Sequence, residues 1–575
     1  MGPADATLTE SLTLLRTNWA SEVEGVLNGR YAFWLGSGIS RERYPDLPNL
    51  LAMLLCKLQA GIDHSKPACP YRQALRDVLE LTSLRDVDIS RPPAEWPDLP
   101  DIIKQLQPKY SEALDVELRV NGTARELFWD LLELQQVYGD PSVPPDAEHK
   151  FLAVLIEEAI IAELVTTNWD PLIELASEAC RPGAVARVAV VVRNEDIRGS
   201  RDAGAPRLSK IHGCAHRSLY DPDTYRPFLV ATQTQISQWS NGQAREPFRE
   251  LVQTILREKL AFFIGLSGQD HNLQATCIKA SLATNYFAEA SRVLFAASGI
   301  KSAQHAILKA IYEPKYYSDH ADDIHAKAAL PLYAKPLLGS LYVLALRKKV
   351  SILLEGAPDD FQPAHHDLIQ RAIARIEQLL CQRYDGIADP TTRWRQLANE
   401  VPSLLSRFLS IYRRQDTPSA PDAYECITSQ NPMQMAVDPL LVGHDLVWLL
   451  LAIGLILEGE RRSMWAAALP GASGGEYGQL TVVVTGSRLR VFFIMGGTGM
   501  AKLYKRSFVD ANDAQHVVVV YPTEREPPFP RRGSPGRRMP GAAVKGPLEV
   551  WLKDIVEDGQ TTDDLVKEFQ RKLAS

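Results

Sequence analysis

The stretches that decide the fold are GSGIS at residues 36–40, TTNWD at 166–170, KIHG at 210–213 and FIGLSGQD at 263–270. Each follows an apolar run of the kind that forms a buried strand, so its glycine and polar residues stand at a strand end. In an open α/β sheet, ligands bind outside the carboxyl ends of the strands. Four such stretches in series predict a single dinucleotide site at one edge of a sheet.

The pattern between these stretches predicts an α/β fold. Strands are expected at residues 31–35, 163–167, 186–192, 206–211, 260–264 and 292–297, with helical periodicity between them. Strands that alternate with helices indicate a mainly parallel sheet covered on both faces. The apolar run at residues 341–346 fits either a helix or a strand.

The chain of 575 residues is too long for one hydrophobic core. We expect a first domain over residues 1–330 and a helical domain over 331–470. A smaller α/β segment over 471–575, begun by a glycine-rich linker, is a possible sensor or assembly module.

Composition excludes several classes of protein. The net charge of -7 gives no global reason to expect nucleic-acid binding. None of the seven cysteines forms a Cys-x-x-Cys pair, so we expect no metal site and no disulfide framework. The longest apolar stretch, residues 446–457, is short of the roughly 20 residues that a membrane helix needs. With a polar, acid-containing N-terminus that is no signal peptide, this predicts a cytoplasmic protein without membrane association.

The glycines of the first stretch suit a phosphate loop. Gly36, Ser37 and Gly38 follow a strand, and glycine lets a backbone approach a pyrophosphate closely. A tight turn without a ligand is the alternative. The loop with Gly265, Ser267 and Asp270 suits the adenosine half of a dinucleotide, or else forms a turn and a helix cap.

An amide and an imidazole stand at two further strand ends. Asn168 is able to hydrogen-bond a ribose hydroxyl or orient a water without titrating. An Asx turn or a helix cap is the alternative, and it describes Asp170 well. His212 precedes Gly213 and suits general acid–base work near neutral pH, the alternative being an ordinary hydrogen-bonded histidine.

Together the four stretches resemble, in the same order, the motif series of sirtuin-like (SIR2-like) domains. The resemblance covers roughly residues 20–300 and implies a Rossmann-like NAD-binding fold. By motif position, Asn168 and His212 correspond to the catalytic pair. Further NAD contacts are expected from Gly36, Ser37, Gly38, Ser40, Thr167, Asp170, Gly265, Ser267 and Asp270.

One departure separates branches of that family. Protein-deacetylating sirtuins carry a zinc module with two Cys-x-x-Cys pairs after the His-Gly stretch, whereas residues 214–260 here contain only Cys214. The sequence therefore resembles the bacterial antiphage branch, which hydrolyses NAD to nicotinamide and ADP-ribose and needs no metal. A sirtuin-like ADP-ribosyltransferase or deacylase, and an NAD or ADP-ribose sensor without turnover, remain alternatives.

The expected partners follow mainly from the same resemblance. It implies a gated enzyme, controlled by a homo-oligomer or by an activating partner protein. A basic, acid-free segment with Arg531, Arg532, Arg537 and Arg538 is either a solvated loop or a contact for phosphate or nucleic acid. The glycine run at residues 496–499 is either a turn or a second anion-binding loop.

Overall fold

The protein was analysed as a computed structural model. It describes residues 2–182, 188–202, 204–268, 273–274, 276–277, 293–357, 361–414, 416, 419–420, 423–437, 444–468, 479–484, 486–495, 499–510, 514–522, 547–558 and 561–574. None of the helices within these ranges is long and apolar enough to cross a membrane.

The first 330 residues build a parallel sheet of seven strands. The sheet has the order β5-β6-β4-β1-β7-β8-β9, and every neighbouring pair runs parallel. Its strands are β1 Tyr31–Leu35, β4 Glu163–Thr166, β5 Ala189–Val191, β6 Arg207–Lys210, β7 Leu260–Ile264, β8 Val293–Ala296 and β9 Ala329–Leu330. The α/β fold class expected from the sequence is confirmed.

The central strand β1 shows why this sheet must be covered on both faces. Its five residues are all buried. Phe33 belongs to the core that contains the helix Ala147–Glu157, whereas its neighbour Trp34 belongs to the core that contains the helix Glu246–Glu258. Successive side chains of a strand point to opposite faces, so a continuous apolar run needs helices on each side.

Helices surround the sheet and join its strands. In chain order they are Leu8–Thr17, Ala20–Leu27, Leu47–Ala60, Pro70–Glu80, Leu99–Leu106, Tyr110–Leu114, Leu134–Gly139, Ala147–Glu157, Leu172–Cys180, Asn194–Asp202, Ala215–Tyr220, Pro222–Tyr225, Gln233–Asn241, Glu246–Glu258, Ser302–Ile311 and Pro314–Ala328.

Residues 44–139 form a separate layer over one end of the sheet. This layer has its own hydrophobic core, to which Leu172 and Ala231 from the sheet connections also belong. It contains a short hairpin, β2 Leu118–Val120 with β3 Thr123–Arg125, and a π-helix at Leu127–Leu131. The layer matters for function because it covers the carboxyl end of β1.

Long helices follow the sheet. They are Ala334–Glu355, Pro363–Asp385, Pro390–Arg414, Pro432–Val437 and His444–Arg461. The run at residues 341–346, which fitted either a helix or a strand, lies inside the first of these helices. That helix is buried along most of its length because it packs against the helix Ala147–Glu157 and the sheet core.

The last part of the chain forms a second, smaller sheet. Its order is β10-β11-β12-β13-β14, antiparallel up to β12 and parallel from β12 to β14. The strands are Ala466–Ala468, Leu480–Val484, Ser487–Phe493, Val517–Tyr521 and Leu548–Trp551, and the helices are Gly499–Lys505, Leu552–Asp558 and Thr562–Ala574. A core shared with the long helices holds this sheet in place.

Candidate active site

The stretches singled out in the sequence meet at one cavity. It has a volume of about 470 Å³ and lies at the carboxyl ends of β1, β4, β6 and β7. Among its lining residues are nine of the predicted site residues: Ser37, Gly38, Ser40, Thr167, Asn168, Asp170, His212, Gly265 and Ser267. Adjacent strands of a parallel sheet end at the same edge, which is why residues so far apart in sequence converge here.

The glycine loop packs against the loop that follows β7. The Gly36 N–H donates to the carbonyl of Ile264, and the Gly38 N–H donates to the carbonyl of Gly265, each over 3.0 Å. A Cβ at Gly38 would lie 2.7 Å from the Gly265 Cα, so no larger residue fits.

The N–H groups of both glycines are used in contacts within the protein. The N–H groups of Gly36 and Gly38 point to carbonyls at the end of β7 and in the loop after it, and these contacts join the two loops. Gly36 itself does not line the cavity. Ser37 and Ser40 of this loop do line it, and each carries a hydroxyl that can donate a hydrogen bond.

The Asn168 side chain is held by a buried serine. Its Nδ2 donates to Ser40 Oγ over 3.1 Å, and the Ser40 hydroxyl donates to Asp170 Oδ2 over 3.0 Å. Only 7% of Asn168 is exposed. Within the described part of the chain, its Oδ1 has no hydrogen-bond partner. A buried carbonyl oxygen left in this state is suited to accept a hydrogen bond from a ligand hydroxyl.

The two carboxylate oxygens of Asp170 have different partners. Its Oδ1 accepts a hydrogen bond from the Leu172 N–H over 3.2 Å, which is a turn contact before the helix Leu172–Cys180. Its Oδ2 accepts from Ser40 and so belongs to the site. Burial raises the pKa of Asp170, although the nearby Lys210 lowers it in part.

Lys210, the first residue of the KIHG stretch, is buried and contacts the backbone of the TTNWD stretch. Its Nζ donates to the Asp170 carbonyl over 2.5 Å and to Glu174 Oε1 over 2.7 Å. Burial lowers its pKa, but Cys214, Glu174 and Asp170 raise it, and the net result is a raised pKa. Lys210 is therefore a buried cation that fixes the TTNWD turn.

His212 is positioned by the turn that follows it. Gly213 adopts a φ of +85°, and a Cβ there would lie 2.6 Å from the Phe228 carbonyl oxygen. The His212 carbonyl accepts from the Val230 N–H over 3.1 Å. The imidazole lies nearly parallel to the Trp169 ring, with 6.5 Å between ring centroids and 29° between planes. His212 is 5% exposed and lines the same cavity as Asn168.

A cluster of aromatic side chains, which the sequence did not predict, also lines the cavity. It consists of the lining residues Tyr44, Tyr110, Phe128, Tyr138 and Trp169. The rings of Tyr44 and Tyr138 are 4.8 Å apart, and those of Phe128 and Trp169 are 5.0 Å apart. Four of these five residues lie in the layer of residues 44–139. They reach the cavity because this layer packs onto the sheet.

Some predicted positions fall outside the described residues. These are Asp270, the glycines at 496 and 497, and the basic residues Arg531, Arg532, Arg537 and Arg538. Within the described ranges, no group of three or more His, Cys, Asp or Glu side chains is placed to hold a metal ion.

Comparison with known families bears directly on this cavity. Residues 162–313 match the family model of the SIR2-like domain. The match supports a sirtuin-like domain in about a quarter of the chain, and it includes Asn168, His212 and Gly265. A search of curated proteins found no match.

The SIR2-like match agrees with the architecture. A seven-stranded parallel sheet flanked by helices fits the Rossmann-like SIR2 fold. SIR2-like domains bind NAD and are found in NAD-utilising enzymes of the sirtuin superfamily. The cavity fits such a ligand, because it places a buried amide oxygen and an imidazole beside a glycine loop.

Proposed function

We propose that the protein is an NAD+ glycohydrolase, which cleaves the bond between nicotinamide and ribose to give nicotinamide and ADP-ribose. The observation that carries the proposal is that Asn168 and His212 line one cavity together with Ser37 and Gly38 of the glycine loop. The match of residues 162–313 to the SIR2-like domain supports NAD as the ligand.

The proposed reaction needs little covalent chemistry from the protein. As the C–N bond breaks, its electron pair neutralises the nicotinamide ring and positive charge develops on the ribose. Water then forms the new bond to the anomeric carbon and loses one proton. The balance is NAD+ plus water giving nicotinamide, ADP-ribose and a proton.

Each residue of the proposed pair has a defined task. Asn168 Oδ1, which has no partner among the described residues, accepts a hydrogen bond from a ribose hydroxyl or from the attacking water, while one Nδ2–H donates to Ser40. His212 accepts the proton that the water or a ribose hydroxyl loses. Trp169 lies beside the imidazole, with 6.5 Å between the ring centroids.

The surroundings favour water over a protein substrate as acceptor. The cysteine pairs of a zinc module are absent from the sequence after His212, and Cys214 is buried with its pKa raised mainly by that burial. Helices Ala215–Tyr220, Gln233–Asn241 and Glu246–Glu258 occupy this region instead. An ADP-ribosyltransferase, a deacylase and a non-catalytic sensor are the outcomes against which the proposal is tested.

We further propose, from the family resemblance, that the enzyme is a regulated effector of bacterial antiphage defence. Unrestrained NAD cleavage harms the cell that contains the enzyme, so activity must be gated. In this proposal, residues 1–330 carry the reaction, and residues 331–470 and 471–575 sense or assemble. The gate is a homo-oligomer or an activating partner protein.

The proposal is tested by incubating purified protein with NAD and separating the products by chromatography and mass spectrometry. Free nicotinamide and free ADP-ribose in equal amounts support hydrolysis. ADP-ribose attached covalently to a protein supports the transferase, and loss of an acyl group from a lysine peptide supports the deacylase. Calorimetric NAD binding without nicotinamide release, with and without candidate activators, supports the sensor.

A further inference from the structure

A buried histidine outside the four motif stretches touches the same serine that holds Asn168. His149 lies in the helix Ala147–Glu157 and is completely buried. Its Nε2 is 3.2 Å from Ser40 Oγ. We propose that His149 is a positioning residue, which fixes the Ser40 hydroxyl and through it the orientation of the Asn168 amide. The inference rests on the proposed function, because it assigns a role within that site.

The direction of each hydrogen bond follows from the atoms available. His149 Nδ1 accepts from the Asp146 N–H over 3.2 Å, so the ring proton of the neutral imidazole lies on Nε2. Burial lowers the pKa of His149 to about 3, which keeps the ring neutral at physiological pH. The Nε2–H therefore donates to Ser40 Oγ.

Ser40 is fully engaged by this arrangement. A hydroxyl has one proton to donate and two lone pairs to accept with. Ser40 donates to Asp170 and accepts from both Asn168 and His149. Without the His149 donor, the hydroxyl loses one of the three contacts that fix its position, and the Asn168 amide loses a rigid acceptor.

The same contacts connect the site to a long helix outside the sheet. Asp146, which begins the helix of His149, is 2% exposed and pairs with Arg395 through two hydrogen bonds of 2.7 and 2.6 Å. Arg395 lies in the helix Pro390–Arg414. A continuous series of contacts thus runs from Arg395 through Asp146, His149 and Ser40 to Asn168.

Two substitutions separate a positioning role from a purely structural one. In His149→Gln the side-chain amide nitrogen reaches the place of Nε2 and is able to donate to Ser40. In His149→Asn the shorter amide reaches the place of Nδ1, near the Asp146 N–H, and the Ser40 contact is lost. Both replace a buried imidazole by an amide, so each is the matched control of the other.

The experiment measures kcat and KM for nicotinamide release, together with the melting temperature of each variant. We expect His149→Asn to lose about 10- to 100-fold in kcat with KM changed less than about 3-fold, because a displaced catalytic group slows the reaction step. His149→Gln should keep kcat within about 5-fold of the wild type. Equal losses in the two variants, or losses that follow the melting temperature, would overturn the inference.

A binding measurement keeps this inference distinct from the proposed function. If wild-type protein releases no nicotinamide, either alone or with candidate activators, the glycohydrolase proposal fails, and the calorimetric Kd for ADP-ribose then decides the role of His149. Weaker binding by His149→Asn than by His149→Gln supports positioning of Asn168. Equal Kd values for the two variants, or no binding by the wild type, overturn it.

Discussion

The Asn168 side-chain amide donates to the Ser40 hydroxyl over 3.1 Å, and this contact joins two strand ends of the parallel sheet. Ser40 follows β1 and Asn168 follows β4, and the two residues are 128 positions apart in sequence. The contact leaves Asn168 Oδ1 for a ligand and fixes which way the amide faces. A side chain set in this way is preorganised before any substrate arrives.

Removing the serine hydroxyl should affect both stability and reaction. Ser40→Ala leaves the buried Asn168 and Asp170 without one hydrogen-bond partner each, at a cost of about 1–3 kcal/mol in the free energy of unfolding. We also expect kcat for nicotinamide release to fall at least about 10-fold. Denaturant unfolding and a nicotinamide assay measure the two effects. Ser90→Ala, at an exposed serine, is the control, and equal behaviour of the two variants would refute the prediction.

A side chain at Gly213 should be destabilising for two reasons: the positive φ of this residue and a steric clash of the added Cβ. Gly213→Ala and Gly122→Ala both place a Cβ on a residue with a φ of about +80°, but only at Gly213 does the Cβ meet an atom, the Phe228 carbonyl oxygen at 2.6 Å. Gly213→Ala should therefore cost about 1–3 kcal/mol more than Gly122→Ala in unfolding free energy. It should also lower activity, since His212 precedes the turn. Equal destabilisation by the two substitutions would show that the turn relaxes.

The Arg395–Asp146 pair should contribute more than an exposed ion pair of similar geometry. Arg395→Met leaves the buried Asp146 carboxylate with weaker cationic neighbours, at an expected cost of about 2 kcal/mol. Arg383→Met removes the more exposed pair with Glu400 and should cost less than about 1 kcal/mol. Thermal and denaturant unfolding of both variants checks this difference. Similar costs would mean that Arg43 and Lys335 are enough to compensate the charge of the buried Asp146 carboxylate.

If the contacts from Arg395 to Asn168 act as a unit, their effects on catalysis should not add. We expect Arg395→Met to lower kcat by several-fold in the wild type and to have little further effect in His149→Asn. Kinetics of the two single variants and the double variant test this. If the fold-losses in kcat of the two single variants multiply in the double variant, Arg395 does not act on the site through His149.

The buried His149 predicts a loss of stability in mild acid. Its pKa is lowered from 6.5 to about 3, mainly by burial, with Arg43 and Lys335 also lowering it and Asp146 and Glu174 raising it. Between these values the unfolded chain binds a proton that the folded chain does not, so the unfolding free energy falls as pH falls from about 7 towards 3.

The contribution of His149 to the pH dependence of stability is measured by comparing the wild type with His149→Gln, which has no titratable group at this position. From pH 7.5 to 5.5, the unfolding free energy of wild-type protein should fall by about 1.4 kcal/mol more than that of His149→Gln. Denaturant titrations followed by tryptophan fluorescence at the two pH values measure this difference. Parallel pH dependence in both proteins would mean that His149 is not buried as a neutral ring.

The strands that the sequence predicted best are those formed by continuous runs of apolar residues. β1 and β7 begin and end where the runs at residues 31–35 and 260–264 do. The sequence missed β9, Ala329–Leu330, and β10, Ala466–Ala468, because such short strands carry no periodicity of their own. They exist by pairing with β8 and β11, which is information that local sequence does not hold.

The same distinction applies to the site. Asn168 and His212 were predicted because each follows a strand. The carboxyl ends of parallel strands lie at the same edge of the sheet, so residues that follow different strands lie close together. Tyr44 and Tyr138, which line the cavity, and His149, which contacts Ser40, were missed because they lie outside the motif stretches. The amphipathic pattern of a helix indicates which face is buried, but not which serine a buried histidine meets.

The most direct test is the release of nicotinamide from NAD by the purified full chain, its Asn168→Ala and His212→Ala variants, and the control Ser90→Ala. Chromatography after incubation with NAD, alone and with candidate activators, should show stoichiometric nicotinamide and ADP-ribose for the wild type and for Ser90→Ala. Asn168→Ala and His212→Ala should each lose at least about 100-fold of this activity while remaining folded. Full activity in either of these two variants would contradict the assignment of Asn168 and His212 to the reaction.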